Sequence, residues 1–193
     1  TTPDSPLKGK ISNPALKAFE DHFSNISEAY RSLRTSIIFS NPDAHKKTIL
    51  ITSTGPQEGK STTATNLSIV MAQAGEKVVL IDADFRRPNL HNIFGISRSG
   101  GITEILSENK DNLSSYIHST EVPNLDLLVC GSIPPNPSEL LGSKKMEWLI
   151  NDLSKIYDRI IIDTPPVLAA TDAVVLASKV EVTLLVAKAN HTH

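Results

Sequence analysis

Apolar residues along this chain follow two different spacings, and their alternation predicts an α/β fold. Short continuous apolar runs are typical of strands buried on both faces of a parallel sheet. Five such runs occupy residues 47–53, 77–82, 125–129, 159–163 and 180–187. Helical spacing predicts helices over residues 19–39, 60–74, 102–107, 113–118, 146–156 and 172–178. The pattern therefore predicts an α/β domain with a mainly parallel central sheet and helices on both faces.

The first helix carries its apolar residues on one stripe. Ile26, Tyr30, Leu33 and Ile37 recur at intervals of three and four residues, with Ser27 as the expected N-cap. The Asn-Pro-Asp sequence at residues 41–43 is expected to end this helix. Residues 1–14 are polar, hold three prolines and lack a period, so we expect a flexible arm followed by a single domain over residues 15–193.

The segment between the first strand and the next helix predicts a phosphate-binding loop. Its sequence, TGPQEGKST, places Gly59, Lys60 and Ser61 at the start of a helix, where free amide groups and the helix dipole attract anions. Gly59 permits close backbone approach to phosphates, Lys60 reaches the β- and γ-phosphates, and the Ser61 hydroxyl can ligate Mg²⁺. Thr62 follows as a further phosphate contact. The simpler interpretation is a turn before a core helix, but the strand, loop and helix context favours nucleotide binding.

The loop departs from the usual phosphate-loop motif at its first position. A glycine is expected at residue 54, where this chain has Thr54, and the glycine follows as Gly55. A variant motif is therefore predicted to bind the nucleotide. The residues that form it are Thr54, Gly55, Pro56, Gln57, Glu58, Gly59, Lys60, Ser61 and Thr62.

Acidic residues end two of the predicted strands. Asp82 closes the run VVLID, Asp84 follows two residues later, and Asp163 closes RIIID. Ligands of open parallel sheets bind at the carboxyl ends of the strands, and Mg²⁺ bound to phosphates takes oxygen ligands such as serine and carboxylates. Asp163 is thus the expected Walker B carboxylate. Solvated polar residues at strand ends are the alternative, which three acids beside a phosphate loop disfavour.

Composition and charge narrow the classes of partner. The 193 residues carry a formal net charge of −2, which gives no reason to expect nucleic acid or an anionic membrane as a partner. The single cysteine, Cys130, cannot form an internal disulfide, which fits a reducing cytoplasm. The longest apolar candidate, residues 167–187, is interrupted by charges and is not expected to span a bilayer.

These motifs together resemble the bacterial tyrosine kinases that regulate exopolysaccharide and capsule synthesis. The resemblance runs from Ser27 to about Ala187 through EAYRSLRTSIIFS, TSTGPQEGKSTTATNLS, VVLIDADFRRPNLHNIFG, GSIPPNPSELL and RIIIDTPPV. It implies a P-loop NTPase-like fold and an autophosphorylating protein-tyrosine kinase that uses ATP and Mg²⁺. Lys60, Asp82, Asp84 and Asp163 would be catalytic, and Ser61 with the three aspartates would hold the metal. Asp82 would accept the proton of the acceptor tyrosine, a role that spacing alone leaves open between Asp82 and Asp84.

The resemblance also implies partners and a location. Glu28, Arg31 and Arg34 match an E-x-x-R-x-x-R element that helps build a ring-shaped homo-oligomer, and helical geometry places these charges away from the apolar stripe. The alternative is an ordinary solvated face. Family members act on protein tyrosines and are activated by a transmembrane adaptor, fused or separate, which places them in the cytoplasm at the inner face of the membrane.

Two departures from the family pattern bear on activity. The three tyrosines, Tyr30, Tyr116 and Tyr157, lie far from the chain end, whereas the family ends in a tyrosine cluster. The family would also continue past residue 193 with another helix and strand, so the sequence is expected to be a truncated catalytic domain.

Two other functions remain open. A MinD/ParA-like ATPase shares the expected fold, but it would carry a lysine where this chain has Gly55. A nucleotide-binding oligomeric scaffold without catalytic activity is the second. A GTPase is disfavoured because the sequence NKDN at residues 109–112 has asparagine where guanine recognition requires aspartate.

Overall fold

A computed structural model describes residues 13–40, 46–107 and 112–189 of the chain. The helices among these residues include two short 3₁₀ turns, Pro14–Leu16 and Leu113–Ser115. The α-helices are α1 (Lys17–Glu20), α2 (Asn25–Phe39), α3 (Lys60–Gln73), α4 (Leu90–Phe94), α5 (Ile102–Ser107), α6 (Pro137–Gly142), α7 (Lys144–Leu153) and α8 (Asp172–Ala177). The strands are β1 (Thr48–Ser53), β2 (Val78–Asp82), β3 (Ile117–Ser119), β4 (Leu125–Leu128), β5 (Arg159–Asp163) and β6 (Val182–Val186).

The strands form one sheet in the order β3-β4-β2-β5-β1-β6. All neighbouring pairs are parallel except β3 and β4, which are antiparallel. The predicted mainly parallel sheet is therefore confirmed, with β3 as an additional edge strand that the sequence pattern did not indicate. Asp82 pairs with Asp163 in the ladder between β2 and β5, so the two acidic strand ends lie side by side.

Helices cover both faces of the sheet and divide the core into two layers. Alternate strand residues point to opposite faces: Leu50 joins the layer formed with α5, α6, α7 and α8, whereas Ile49 and Ile51 join the layer formed with α3. Residues 64–72 of α3 are all buried, because the sheet packs on one side of this helix and α2 on the other. The helix that begins at the phosphate loop is thus fixed on both sides.

The long first helix predicted over residues 19–39 is wrong in one respect, since the structure divides it. A turn at residues 21–24 separates α1 from α2. The N-cap of α2 is Ser24, whose side chain accepts a hydrogen bond from the Ser27 amide. Ser27 is buried instead, and its hydroxyl donates to the Asp21 carbonyl oxygen at 2.5 Å. Ile26, expected on the buried stripe, is 49% exposed.

Three further predictions of secondary structure need correction. The segment predicted as a loop after the third apolar run contains α6, which begins with Pro137 in its first turn. The helix predicted over residues 113–118 is a 3₁₀ turn followed by β3. The helix α7 ends at Leu153, and Ile156 lies beyond it, 46% exposed.

The chain before α1 packs against the phosphate-loop helix. The buried Asn66 side chain of α3 accepts a hydrogen bond from the Ala18 amide and donates to the carbonyl oxygens of Pro14 and Thr62. Asn13 and Pro14, predicted as the end of a flexible arm, therefore begin the docked segment. The rest of that arm, the Asn-Pro-Asp stop signal and residues 109–111 of NKDN lie outside the described residues.

Candidate active site

The phosphate loop joins β1, a central strand, to the buried helix α3. The loop turns sharply because Gly59 has φ of 95° and Gln57 has φ of 61°. Such left-handed backbone is common for glycine and unusual for other residues. It turns the loop so that α3 starts at Lys60, where free amide groups point out of the helix end. This is the arrangement that the sequence motif predicted.

Glu58 stabilises the first turn of this loop, a role that sequence reasoning missed. Its carboxylate accepts hydrogen bonds from the Thr54 amide at 2.9 Å, the Gly55 amide at 3.0 Å and the Thr54 hydroxyl at 2.9 Å. The variant first position of the motif is therefore occupied by a residue whose hydroxyl contributes to the fold of the loop.

Lys60 lies among the acidic strand ends, as the sequence predicted. Its Nζ atom is 2.7 Å from Asp84 Oδ2, 3.9 Å from Asp163 Oδ1 and 3.4 Å from Ser61 Oγ. Burial lowers the pKa of Lys60, but the carboxylates of Asp163 and Asp84 outweigh burial and raise it above its ordinary value. The ammonium group is therefore charged at neutral pH and lies between the two carboxylates.

Asp163 has a buried carboxylate oxygen that lacks a hydrogen bond. It is 1% exposed, and its buried Oδ1 atom makes no hydrogen bond. Burial raises its pKa to about 6, although the Lys60 ammonium acts in the opposite direction. The Lys60 ammonium at 3.9 Å is its charged neighbour. A buried carboxylate oxygen without a hydrogen bond is costly, and a cation bound beside Ser61 would satisfy it.

Asp82 is enclosed more completely than the sequence suggested. Its Oδ2 accepts hydrogen bonds from the amides of Asn89 and Leu90, at 3.1 and 3.0 Å, and its Oδ1 accepts from the Asp84 amide at 3.3 Å. The residue has no exposed surface. Burial and the nearby Asp163 carboxylate raise its pKa to about 7. Asp82 therefore holds the start of α4 against β2.

Two adjoining cavities open beside these residues. One, of about 370 Å³, is lined by Lys60, Ser61 and Asp84 together with Gln57 and Asn89, among others. The second, of about 270 Å³, adjoins it on the side of the loop that follows β5. We refer to them as the phosphate cavity and the proline cleft. Asp84, Pro56, Arg87 and Pro166 line both, whereas Asp82 and Asp163 line neither.

Arg86 is held by a buried carboxylate that the sequence did not single out. Its Nε is 3.1 Å from Asp172 Oδ2, and Asp172, at the start of α8, has no exposed surface. The Ser138 hydroxyl of α6 also donates to Asp172. The only available sequence signal was an acid in the first turn of a short helix, which does not identify a distant arginine as its partner.

The three charged residues predicted for an interface differ in their placement. Glu28 is exposed and accepts a hydrogen bond from Arg31 Nε at 2.9 Å. Arg31 Nη2 also donates to the His22 carbonyl oxygen at 2.7 Å. Arg34 was expected to face outward, but its Nη1 donates to the Val70 carbonyl oxygen of α3 at 2.9 Å. Arg34 therefore packs against its own domain.

The described parts of the chain contain neither a side-chain cluster for a metal ion nor a helix that could span a membrane. In residues 13–40, 46–107 and 112–189, no three His, Cys, Asp or Glu side chains are grouped to hold a metal ion. Over the same ranges, no helix has the length and apolar character needed to cross a bilayer.

Comparison with known proteins identifies relatives over most of the chain. A family model described as an AAA domain matches residues 46–190. The tyrosine-protein kinase YwqD of Bacillus subtilis (strain 168) is 44% identical over 166 residues, which cover 86% of this chain and 70% of YwqD. Sequence similarity of this extent places both proteins in one family.

Solved structures point to the same family. The kinase domain of the Escherichia coli tyrosine kinase ETK superposes with a TM-score of 0.88 at 36% identity, covering 98% of this chain and 74% of that one. The septum site-determining protein MinD from Pyrococcus horikoshii OT3, solved with Mg-ADP, gives a TM-score of 0.62 at 27% identity, covering 72% and 57%. The MinD-like alternative thus shares the general fold but is the more distant. From its sequence, its fold and these relatives, the chain belongs to the bacterial tyrosine kinases, whose catalytic domain is a nucleotide-binding P-loop domain.

Proposed function

We propose that this chain transfers the γ-phosphoryl group of ATP to protein tyrosines and so regulates exopolysaccharide or capsule synthesis and export. The observation that carries the proposal is the position of Lys60, at the start of α3 and within 4 Å of two strand-end carboxylates. Phosphoryl transfer depends on positioning and on neutralising charge. This arrangement brings an ammonium, the amides at the start of α3 and carboxylates that can accept a metal ion together at one edge of the sheet.

The triphosphate would lie in the phosphate cavity along the loop from Thr54 to Thr62. The amides at the start of α3 and the Lys60 ammonium would bind its β- and γ-phosphates. Ser61 and Asp163 fit a magnesium ion, since the Asp163 Oδ1 atom is buried without a hydrogen bond. When bound, the ion would neutralise charge on the phosphate oxygens.

On the acceptor side the geometry favours Asp84 over Asp82 as the residue that accepts the tyrosine proton. Asp84 lines both cavities, and its oxygens accept one backbone hydrogen bond, from Arg87, and one from the Lys60 ammonium. Both oxygens of Asp82 accept backbone hydrogen bonds, and Asp82 is fully buried and lines neither cavity. A general base must lie within hydrogen-bond reach of the proton it takes. Asp82 would instead position the loop that carries Asp84.

The test is an assay with ATP, Mg²⁺ and a tyrosine peptide, read by anti-phosphotyrosine blot and by phosphate release. Wild type is expected to form phosphotyrosine. Lys60→Ala is expected to lose at least about a hundredfold in rate, because the γ-phosphoryl charge loses its ammonium partner. Lys155→Gln, which removes an exposed lysine paired with Asp152, is the matched control and should retain activity.

The same assay separates the remaining functions. Phosphate release without phosphotyrosine would indicate a MinD/ParA-like ATPase, and neither product would indicate a scaffold. Phosphotyrosine formation by Lys60→Ala at the wild-type rate would refute the proposed mechanism.

The partners and location follow from family membership as part of this proposal. Self-assembly through α2 is supported by the exposed Glu28 side chain and by Phe23, which is 97% exposed in the preceding turn, since a large exposed apolar side chain is common at subunit contacts. An adaptor with a transmembrane segment, fused or separate, would place the domain in the cytoplasm at the inner face of the membrane.

A further inference from the structure

The proline cleft has apolar walls that suit an aromatic ring. Four of its seven lining residues contribute three proline rings and one methyl group, from the phosphate loop and from the loop that follows β5, and the other three are Asp84, Arg86 and Arg87. Proline offers no N–H donor, so these walls place no hydrogen-bonding demand on an apolar ligand. Aromatic side chains gain most from burial against such surfaces. The wall residues are Pro56, Pro165, Pro166 and Ala169.

The cleft meets the phosphate cavity at the residue that would take the acceptor proton. Asp84 and Arg87 line both spaces. Phosphoryl transfer requires the attacking and leaving oxygens to lie roughly in line with the phosphorus atom between them. With a nucleotide in the phosphate cavity, the acceptor hydroxyl has to arrive from an adjoining space, and the cleft leads to Asp84 from that direction.

Two arginines at the rim of the cleft differ in whether their guanidinium groups are paired with a carboxylate. The Arg86 guanidinium is already paired with the buried Asp172 carboxylate at 3.1 Å. Arg87 is exposed, and its amide donates to Asp84 Oδ1 at 3.0 Å. Within the part of the chain that the structure describes, its guanidinium has no ion pair. An arginine can bind a carboxylate through two parallel hydrogen bonds, so Arg87 can bind an acidic group next to the ring.

From these observations we infer that the proline cleft binds the ring of the acceptor tyrosine, and that Arg87 selects acidic residues beside it. The inference deepens the proposed function and rests on it. The hydroxyl of a tyrosine in the cleft would point to Asp84 and the phosphate cavity, and its peptide backbone would cross the rim.

The test measures binding separately from turnover. A fluorescein-labelled peptide with one tyrosine between glutamates is titrated into the 193-residue chain, with and without a non-hydrolysable ATP analogue and Mg²⁺. Replacing the peptide's tyrosine by alanine should weaken binding about tenfold. Ala169→Phe, which fills the cleft with a ring of its own, should weaken binding of the tyrosine peptide by a similar factor. Ala169 is exposed, and Ala169→Asp provides a second way of disfavouring an acidic ligand.

The role of Arg87 is tested by comparing the affinities of the protein for two peptides. Wild type should bind the glutamate-flanked peptide about two- to fivefold more tightly than a glutamine-flanked one, which is the usual effect of one exposed ion pair. Arg87→Gln should abolish this ratio. Lys155→Gln removes the same amount of charge far from the site and should preserve it. The ratio is insensitive to nucleotide affinity, which Arg87→Gln also affects through the phosphate cavity.

Each outcome decides one of the two proposals. Unchanged peptide affinity in both Ala169 variants, or no peptide binding by wild type, overturns the cleft assignment even where kinase activity is present. Cleft-dependent peptide binding without phosphotyrosine formation supports the cleft and refutes the proposed transfer reaction. An Arg87→Gln protein that keeps the wild-type preference refutes the selective role of Arg87.

Discussion

At the scale of single residues, two buried acids determine how the site responds to pH. Asp82 and Asp163 have pKa values raised to about 7 and about 6, mainly by burial. A carboxyl group whose pKa is higher in the folded chain than in the unfolded chain binds more protons when folded. Its contribution to stability is therefore full at acid pH and is lost as the pH rises through the folded-state value.

The first prediction concerns this loss. For the nucleotide-free chain, the contribution of Asp82 to the free energy of unfolding should fall between about pH 4 and pH 7. The fall should be about 1.4 kcal/mol per pH unit for each proton held only by the folded state. Asp82→Asn has no such proton, so its denaturant-derived stability should decline less over this range.

The control is Asp152→Asn, which removes a partly exposed carboxylate of α7 that pairs with Lys155 at the surface and should keep the wild-type slope. Equal slopes for Asp82→Asn and wild type would show that the folded chain holds no additional proton on Asp82, and would contradict its raised pKa.

At the scale of elements, the start of α2 tests the corrected boundary of the first helix. The Ser24 hydroxyl accepts a hydrogen bond from the Ser27 amide at 3.2 Å. Ser24→Ala should therefore lower the free energy of unfolding by about 1 kcal/mol. Ser36→Ala is the matched control on the exposed face of the same helix, where the serine hydroxyl only donates to the Ser32 carbonyl oxygen. If both variants have the same stability, the helix does not begin at Asn25.

The elements that the sequence predicted correctly have strong local signals. Mainly apolar runs identified five strands, most clearly where a strand is buried on both faces, and the run at residues 159–163 matches β5 at both ends. The antiparallel strand β3 was missed because its three residues, Ile117–Ser119, are partly exposed and lack such a run. The turn between α1 and α2 was missed because it contains neither proline nor glycine, so only tertiary contacts define it.

The residues of the candidate site also form two groups: those that local sequence signals indicate, and those whose contacts only the folded structure reveals. Lys60, Ser61, Asp84 and Asp163 follow from position, since strand ends and helix starts converge at one edge of a parallel sheet. The contact of Arg86 with Asp172 joins residues 86 positions apart, and nothing local indicates it. The inward direction of Arg34 was missed for a related reason: helical spacing defines a stripe, but the width of the buried face depends on what packs against it.

At the scale of the whole molecule, Glu28 and Arg34 should have different effects on assembly. Glu28→Ala changes an exposed side chain and should shift the sedimentation distribution toward smaller species without changing the melting temperature. Arg34→Ala leaves the Val70 carbonyl oxygen without its donor, and should lower the melting temperature by a few degrees. Analytical ultracentrifugation and thermal melting measure the two effects. An unchanged distribution for Glu28→Ala would contradict a subunit contact through this face.

The enclosed position of Asp82 affects how an inactive version of the protein should be made. Replacing that aspartate removes the acceptor of the Asn89 and Leu90 amides. Loss of activity in such a variant would then not distinguish misfolding of this segment from loss of a catalytic group. Asp84 makes one backbone contact of this kind, to Arg87, and is the cleaner choice for a catalytically dead control in cells.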